Sequence, residues 1–244
     1  MNEIYKDKLE ILRQRIPIGL RHGLTLLEKA DGNIEKAEEY FRDEMVVLTL
    51  DKRQVTSDIA LRHLEKNNFD IHLTIKSIDE ELYTLTELIL RKYKNKKEVA
   101  LEIIMHAIEE TKAIERKFWL NFEDLKKLPD EVFCLLTVME WLNYESYENL
   151  DAALSFELEI VTKQLENKLA LPDLANSLLR ASEIKRLTYE KNESGKGIEN
   201  YIKAINQFLE HKEYEKCENT YQQQRPLLID RLYELVTKNI DKFP

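Results

Sequence analysis

The sequence predicts an all-α fold, and three observations lead there. Only five glycines and five prolines interrupt 244 residues, apolar residues recur at helical spacing throughout, and no segment keeps the period-2 alternation of a strand long enough to matter. Leu, Glu, Lys, Ile and Ala abound, which suits helices. Hydrophobic residues make up 43% and charged residues 34%, the balance of a folded chain with room for two modest domains. No apolar run approaches the length of a membrane span. The charge-dotted N-terminus lacks the apolar core of a signal peptide. Cys134 and Cys217 stand far apart in sequence, as reduced thiols of a cytoplasmic protein do.

The first helix is predicted from about Ile4 to Arg15, with Leu9, Ile11, Leu12 and Ile16 turned inward. Pro17 and Gly19 break it. A second helix over Leu20–Lys29 would bury Leu20, Leu24 and Leu27, and Gly32 closes it where a left-handed backbone costs least. Asn33 caps a third helix with Ile34, Ala37, Tyr40 and Phe41 inside. Gln54–Asp79 reads as a degenerate copy, in which Thr56 or Ser57 opens one helix and Asp70 the next. The elements LEKADGNI and LEKNNFDI mark the repeat. From Glu81 a long helix is predicted through RKYKNKK to Phe118 or Trp119, then a break over Asn121–Pro129. Further helices follow near Asp130, Leu150–Leu169, Pro172–Tyr189, Gly197–Glu210, Tyr214–Gln223 and Pro226–Ile240. Lys191–Gly197 is the clearest loop. The implied domains are 1–48, 49–84 and 85–244.

On these residues the stretch Leu12–Asp43 resembles the N-terminal domain of bacterial elongation factor Ts, a ubiquitin-associated-like (UBA-like) three-helix fold. The residues that carry it are Leu12, Arg13, Arg15 and Gly19, then Leu27, Glu28 and Ala30, then Gly32, Ile34, Glu35, Lys36, Ala37, Tyr40 and Arg42. Ile16-Pro17-Ile18 departs from that family's Thr-Gly-Ala, and no Thr-Asp-Phe-Val segment or α+β core follows. The resemblance therefore implies a fold and a docking habit, not nucleotide exchange. Ubiquitin-binding members use the first turn as an exposed apolar knob, and Ile18-Gly19-Leu20 is similar to that knob. Tyr201, Ala204, Phe208, Cys217 and Tyr221 fall at spacings similar to a tetratricopeptide helix pair.

A bundle this small has no room for a catalytic pocket, so the expectation is a non-enzymatic protein that docks on a folded protein partner. Its contact residues would be Ile18, Gly19, Leu20, Tyr40 and Phe41. One alternative is a translation-associated regulator binding elongation factor Tu, as the resemblance implies. The other is a nucleic-acid contact through Arg91, Lys92, Tyr93, Lys94, Lys96 and Lys97, with Tyr93 stacking on a base. The charge of −9 argues against a general nucleic-acid binder, since residues 1–97 are neutral and 98–244 carry the whole excess. No metal or cofactor is implied. His106 with Glu102 and Glu110 reads as a surface ion-pair ladder, and Ser194-Gly195-Lys196-Gly197 lacks the spacing of a phosphate loop.

Overall fold

A computed structural model describes residues 5–192 and 198–244. Among them the chain is all helical, with no strand. Its contacts divide it into two units, Met1–Thr84 and Leu85–Pro244.

The N-terminal unit holds α1 (Lys6–Arg15), α2 (Leu20–Lys29), α3 (Ile34–Lys52), α4 (Ser57–Lys66) and α5 (Ile71–Leu82). The anticipated caps form: Asn33 accepts from Lys36 N–H, Thr56 from Ile59 N–H and Asp70 from Leu73 N–H. Gly32 adopts φ 76° after α2. The boundary expected after residue 48 falls inside α3, which runs on to Lys52.

That continuity makes α3 a shared helix. It packs on α1 and α2 of the first set and on α4 and α5 of the second. Each position of the first three-helix set has a counterpart 37 residues later, as Leu27 has in Leu64. Backbone bonds coincide: Ile16 N–H to Leu12 O matches Arg53 N–H to Thr49 O, and Gly32 N–H to Leu27 O matches Phe69 N–H to Leu64 O, both 2.7 Å. The buried positions coincide as well, Leu12, Gly23, Leu26, Leu27, Ala37 and Phe41 answering to Thr49, Ala60, His63, Leu64, Thr74 and Ile78. The copy recognised from Gln54 onward therefore begins earlier, inside α3. Thr49 and Arg53 stand there for Leu12 and Ile16, which hid it from an apolar pattern.

The C-terminal unit comprises α6 (Leu85–Lys92), α7 (Lys97–Lys112), α8 (Phe122–Leu125), α9 (Asp130–Glu148), α10 (Leu150–Ala153), α11 (Leu158–Asn167), α12 (Pro172–Asn192), α13 (Ile198–Leu209) and α14 (Lys212–Lys238), with a final 3-10 turn. The single helix expected from Glu81 is thus three, α5, α6 and α7. It breaks after Leu82 and again at Tyr93–Lys96, where Lys96 N–H turns back to Tyr93 O around Asn95, a poor helix former. Pro226, a predicted break, sits inside α14 instead. An internal proline costs about 3 kcal/mol. Buried Tyr221 on one side, with Leu228, Leu232 and Val236 on the other, holds the helix together across it. The core gathers on α9, where Trp141 donates Nε1–H to Ala153 O at 2.9 Å. Thr86 N–H bonds Pro244 O at 2.8 Å, tying the end of the chain to α6. Of the Lys191–Gly197 loop, Lys191 and Asn192 finish α12, and the rest, with the Ser194–Gly197 reading, lies outside the described residues.

Candidate docking site

The turn before α2 splits the expected knob. Ile16 leaves α1 in an extended conformation (φ −136°, ψ 147°) and bonds back to Leu12 O. Ile18 N–H then bonds Ile16 O at 2.9 Å. This tight path drops Ile18 into the core, 6% exposed, and leaves Leu20 outside at 58%. Ile18 thus reverses its expected place in the exposed knob, while Leu20, expected both on the inner face of α2 and among the contact residues, lies outside. The buried stripe of α2 is Gly23, Leu26 and Leu27, continued by Ala30; of the expected Leu20, Leu24 and Leu27, Leu27 is buried, Leu24 is partly buried against the core and Leu20 lies outside. A hydrophobicity pattern gives small residues little weight, yet close helix approach depends on them. A Cβ on Gly23 would lie 2.5 Å from Leu9 Cδ1, whereas Gly19 has open space around it. Ile11 likewise faces outward, 42% exposed.

The end of the proposed patch on α3 also divides. Phe41 is a core residue at 2% exposure, with its ring 5.9 Å from Phe69 and 6.2 Å from His22. Tyr40 is half-buried beneath Lys29 Nζ, 4.3 Å from the ring centre. Helices α2 and α3 run antiparallel, and His22 Nε2 meets Glu44 Oε2 at 2.8 Å. The start of α2 therefore shares one end of the pair with the turn of α3 that carries Val47 and Leu48. At that end Leu20, Val47 and Leu48 are 58%, 58% and 37% exposed, and sequence reasoning missed Val47 and Leu48. Their run, MVVLTL, is apolar at nearly every position, so its spacing does not mark which residues face outward.

The basic run does not form one continuous face. Arg91 and Lys92 end α6, Lys94 and Lys96 lie in the turn, and Lys97 opens α7. Tyr93 is half-buried against the core, so its ring is not a free stacking platform. Lys97 Nζ bonds Asp230 Oδ1 at 2.7 Å, a contact that raises its pKa. A surface cavity of about 570 Å³ is lined by Lys94, Lys96, Lys97 and Arg225. There Arg225 is held by Glu98 at 2.6 Å, so in-chain acids neutralise two of these cations.

Residues 84–241 match the family model of the YfbN C-terminal domain. The chain belongs to that family. The match begins where the second unit begins. The chain is also 34% identical over 185 residues to the Escherichia coli (strain K12) protein named "Uncharacterized protein YfbN", covering 76% of this chain and 75% of that protein. No solved structure matches.

The YfbN C-terminal domain holds a group that no sequence spacing signals. Glu140 on α9 is fully buried. It accepts from Arg116 at 2.8 and 2.9 Å and from Leu120 N–H at 2.6 Å, while Arg116 also grips Glu109 at 2.6 Å. Burial raises the Glu140 pKa and outweighs the Leu120 N–H and the Arg116 charge, which lower it. His106 pairs with Glu109, at 3.9 Å, rather than with Glu102 or Glu110. Cys134 is buried and its thiol is pushed up to about 12 by desolvation, which makes it unreactive. No group of three or more His, Cys, Asp or Glu able to hold a metal occurs among the described residues. No helix among them is long and apolar enough to cross a membrane.

Proposed function

We propose that this protein is a non-enzymatic docking protein whose N-terminal unit buries the Leu20, Val47 and Leu48 end against a folded protein partner. The observation that carries this reading is the repeat itself. Leu20 and Ser57 occupy the same backbone position, the first residue of α2 and of α4. A serine serves the fold there, so an apolar side chain 58% exposed at Leu20 is not a demand of the architecture. Exposed apolar groups gathered at one end of a small helical unit are the usual core of a contact surface.

The similarity of Leu12–Asp43 to elongation factor Ts makes elongation factor Tu the first purified partner to assay. The test is capture from a lysate of the source organism with the tagged full chain, alongside Leu20→Ser/Val47→Ser. A partner whose retention falls about tenfold or more in the double variant, at unchanged helicity, supports the reading. Equal retention by both proteins overturns it. Ile18→Ala, which opens a cavity in the core, shows what loss through unfolding looks like.

A further inference from the structure

We propose that the cavity between the start of α7 and α14 in the YfbN C-terminal domain binds a small phosphate ester with an apolar substituent. Lys94, Lys96, Lys97 and Arg225 line it. Its volume of about 570 Å³ is that of a small-molecule site.

The charges set the sign of the ligand. Against the four cations the lining has two acids, Glu98 and Asp230, and both are committed. Glu98 takes Arg225 at 2.6 Å and Asp230 takes Lys97 at 2.7 Å. Lys94 and Lys96 are exposed and have no ion pair among the described residues. The cavity is thus net positive although residues 98–244 carry the whole negative excess of the chain, a local reversal that draws anions. Three smaller cavities of the same unit lack this surplus. Beside α8, in about 290 Å³, Glu115 and Asp124 offset Lys112 and Lys127. Between α9 and α11, Glu123 holds Lys126 and Asp130 holds Lys168, which leaves Lys163 alone. Between α12 and α13, Glu213 holds Arg180 and leaves Lys191.

The donors favour phosphate over carboxylate. A carboxylate is matched by the flat fork of an arginine, whereas lysines hold phosphate as point charges. Both terminal nitrogens of Arg225 are on Glu98, so that fork is taken and the lysines remain. The first turn of α7 adds to them, since its N-cap Lys96 supplies no side-chain acceptor. Val99, Pro226 and Ile229 form an apolar wall beside these charges, which suits an ester better than a bare ion. A nucleic-acid strand fits less well. The basic run bends through two helices and Tyr93 is packed on the core, so neither a continuous track nor a stacking ring is offered.

Calorimetric titration of the full chain with phenyl phosphate tests this. It should bind with a Kd of about 1 mM or below, and Lys94→Gln/Lys96→Gln should weaken it about tenfold or more. Inorganic phosphate lacks the ring, and phthalate carries two carboxylates on the same ring. Each should bind about tenfold more weakly than phenyl phosphate. Val99→Ser should erase the advantage over inorganic phosphate and leave inorganic phosphate itself unaffected, while Lys163→Gln should change nothing. All four side chains are exposed, so circular dichroism should match wild type. Absence of binding at about 10 mM overturns the proposal, and so does binding that survives loss of both lysines. Phthalate or inorganic phosphate binding as tightly as phenyl phosphate also overturns it, as does a single-stranded oligonucleotide that binds where phenyl phosphate does not.

Discussion

The two halves of the N-terminal unit share a backbone and little else. Around α2 the core is apolar, with Leu12, Ile16, Ile18, Leu26 and Phe41 buried together. Around α4 the same positions hold Thr49, Arg53, Val55, His63 and Ile78. Polar replacements in a core cost several kcal/mol unless each group finds a partner, and here each does. Thr49 Oγ1 donates to Met45 O at 2.8 Å. His63 lies between Ser77 Oγ at 2.8 Å and Glu81 Oε2 at 3.0 Å. Arg53 is bidentate to Asp79. The turns differ in the same spirit. Where the first has Gly32 at φ 76°, the second places Phe69 at φ 59°, a strained conformation for that residue, with its ring laid against Phe41 and beneath Arg42. One helix-pair geometry is thus held by burial in one half and by a satisfied polar network in the other.

Exchanging residues between the halves tests this contrast. The largest effect is expected for Leu26→His, which buries an imidazole whose equivalent acid, Glu44, is already bonded to His22. It should cost about 3 kcal/mol or more, read as a lowered urea midpoint. The reverse change, His63→Leu, should stay within about 1 kcal/mol, because Ser77 and Glu81 both reach solvent once released.

Next in size are the turns. Gly32→Ala should cost about 1–2 kcal/mol, since φ is 76° and the new Cβ would meet Tyr5 Cε1 at 2.6 Å. At Phe69 the alanine variant loses the ring and keeps the strain, whereas the glycine variant loses both. Phe69→Gly should therefore be more stable than Phe69→Ala by about 1 kcal/mol, and equal midpoints would mean the backbone is not strained there.

The smallest effect is the pH dependence of the second half, read against Glu81→Gln because a backbone hydrogen bond and Arg15 likewise hold the Glu35 carboxyl of the first half low. A hydrogen bond from Arg62, with its charge and that of His63 beside it, holds the Glu81 carboxyl below its usual 4.5. A depressed carboxyl contributes stability above its unfolded-state pKa and loses it as pH falls through the folded value. Amide protection in α4 and α5 should accordingly fall below about pH 4.5 in the wild type and not in Glu81→Gln. Equal loss in the wild type and in Glu81→Gln would show that the Arg62, His63 and Glu81 cluster does not hold the second half together.

The sequence by itself determined what depends on neighbours along the chain. Helical spacing, the caps at Asn33, Thr56 and Asp70, and the left-handed turn at Gly32 are local matters. So is the LEKxxxx recurrence that betrays the duplication. Local rules cannot say which side of a helix faces a core, because that is fixed by the helix arriving from elsewhere. Ile18 went in and Leu20 out because Gly23 and Ala30 let α2 approach its neighbours along a different stripe. Residues Val47 and Leu48 are exposed although they belong to an apolar run. Tertiary structure alone brought Arg116, Glu109 and Glu140 together and set Trp119 against Tyr144 and Tyr147. Such groups meet across helices packed on one another, and their spacing in sequence carries no trace of the contact.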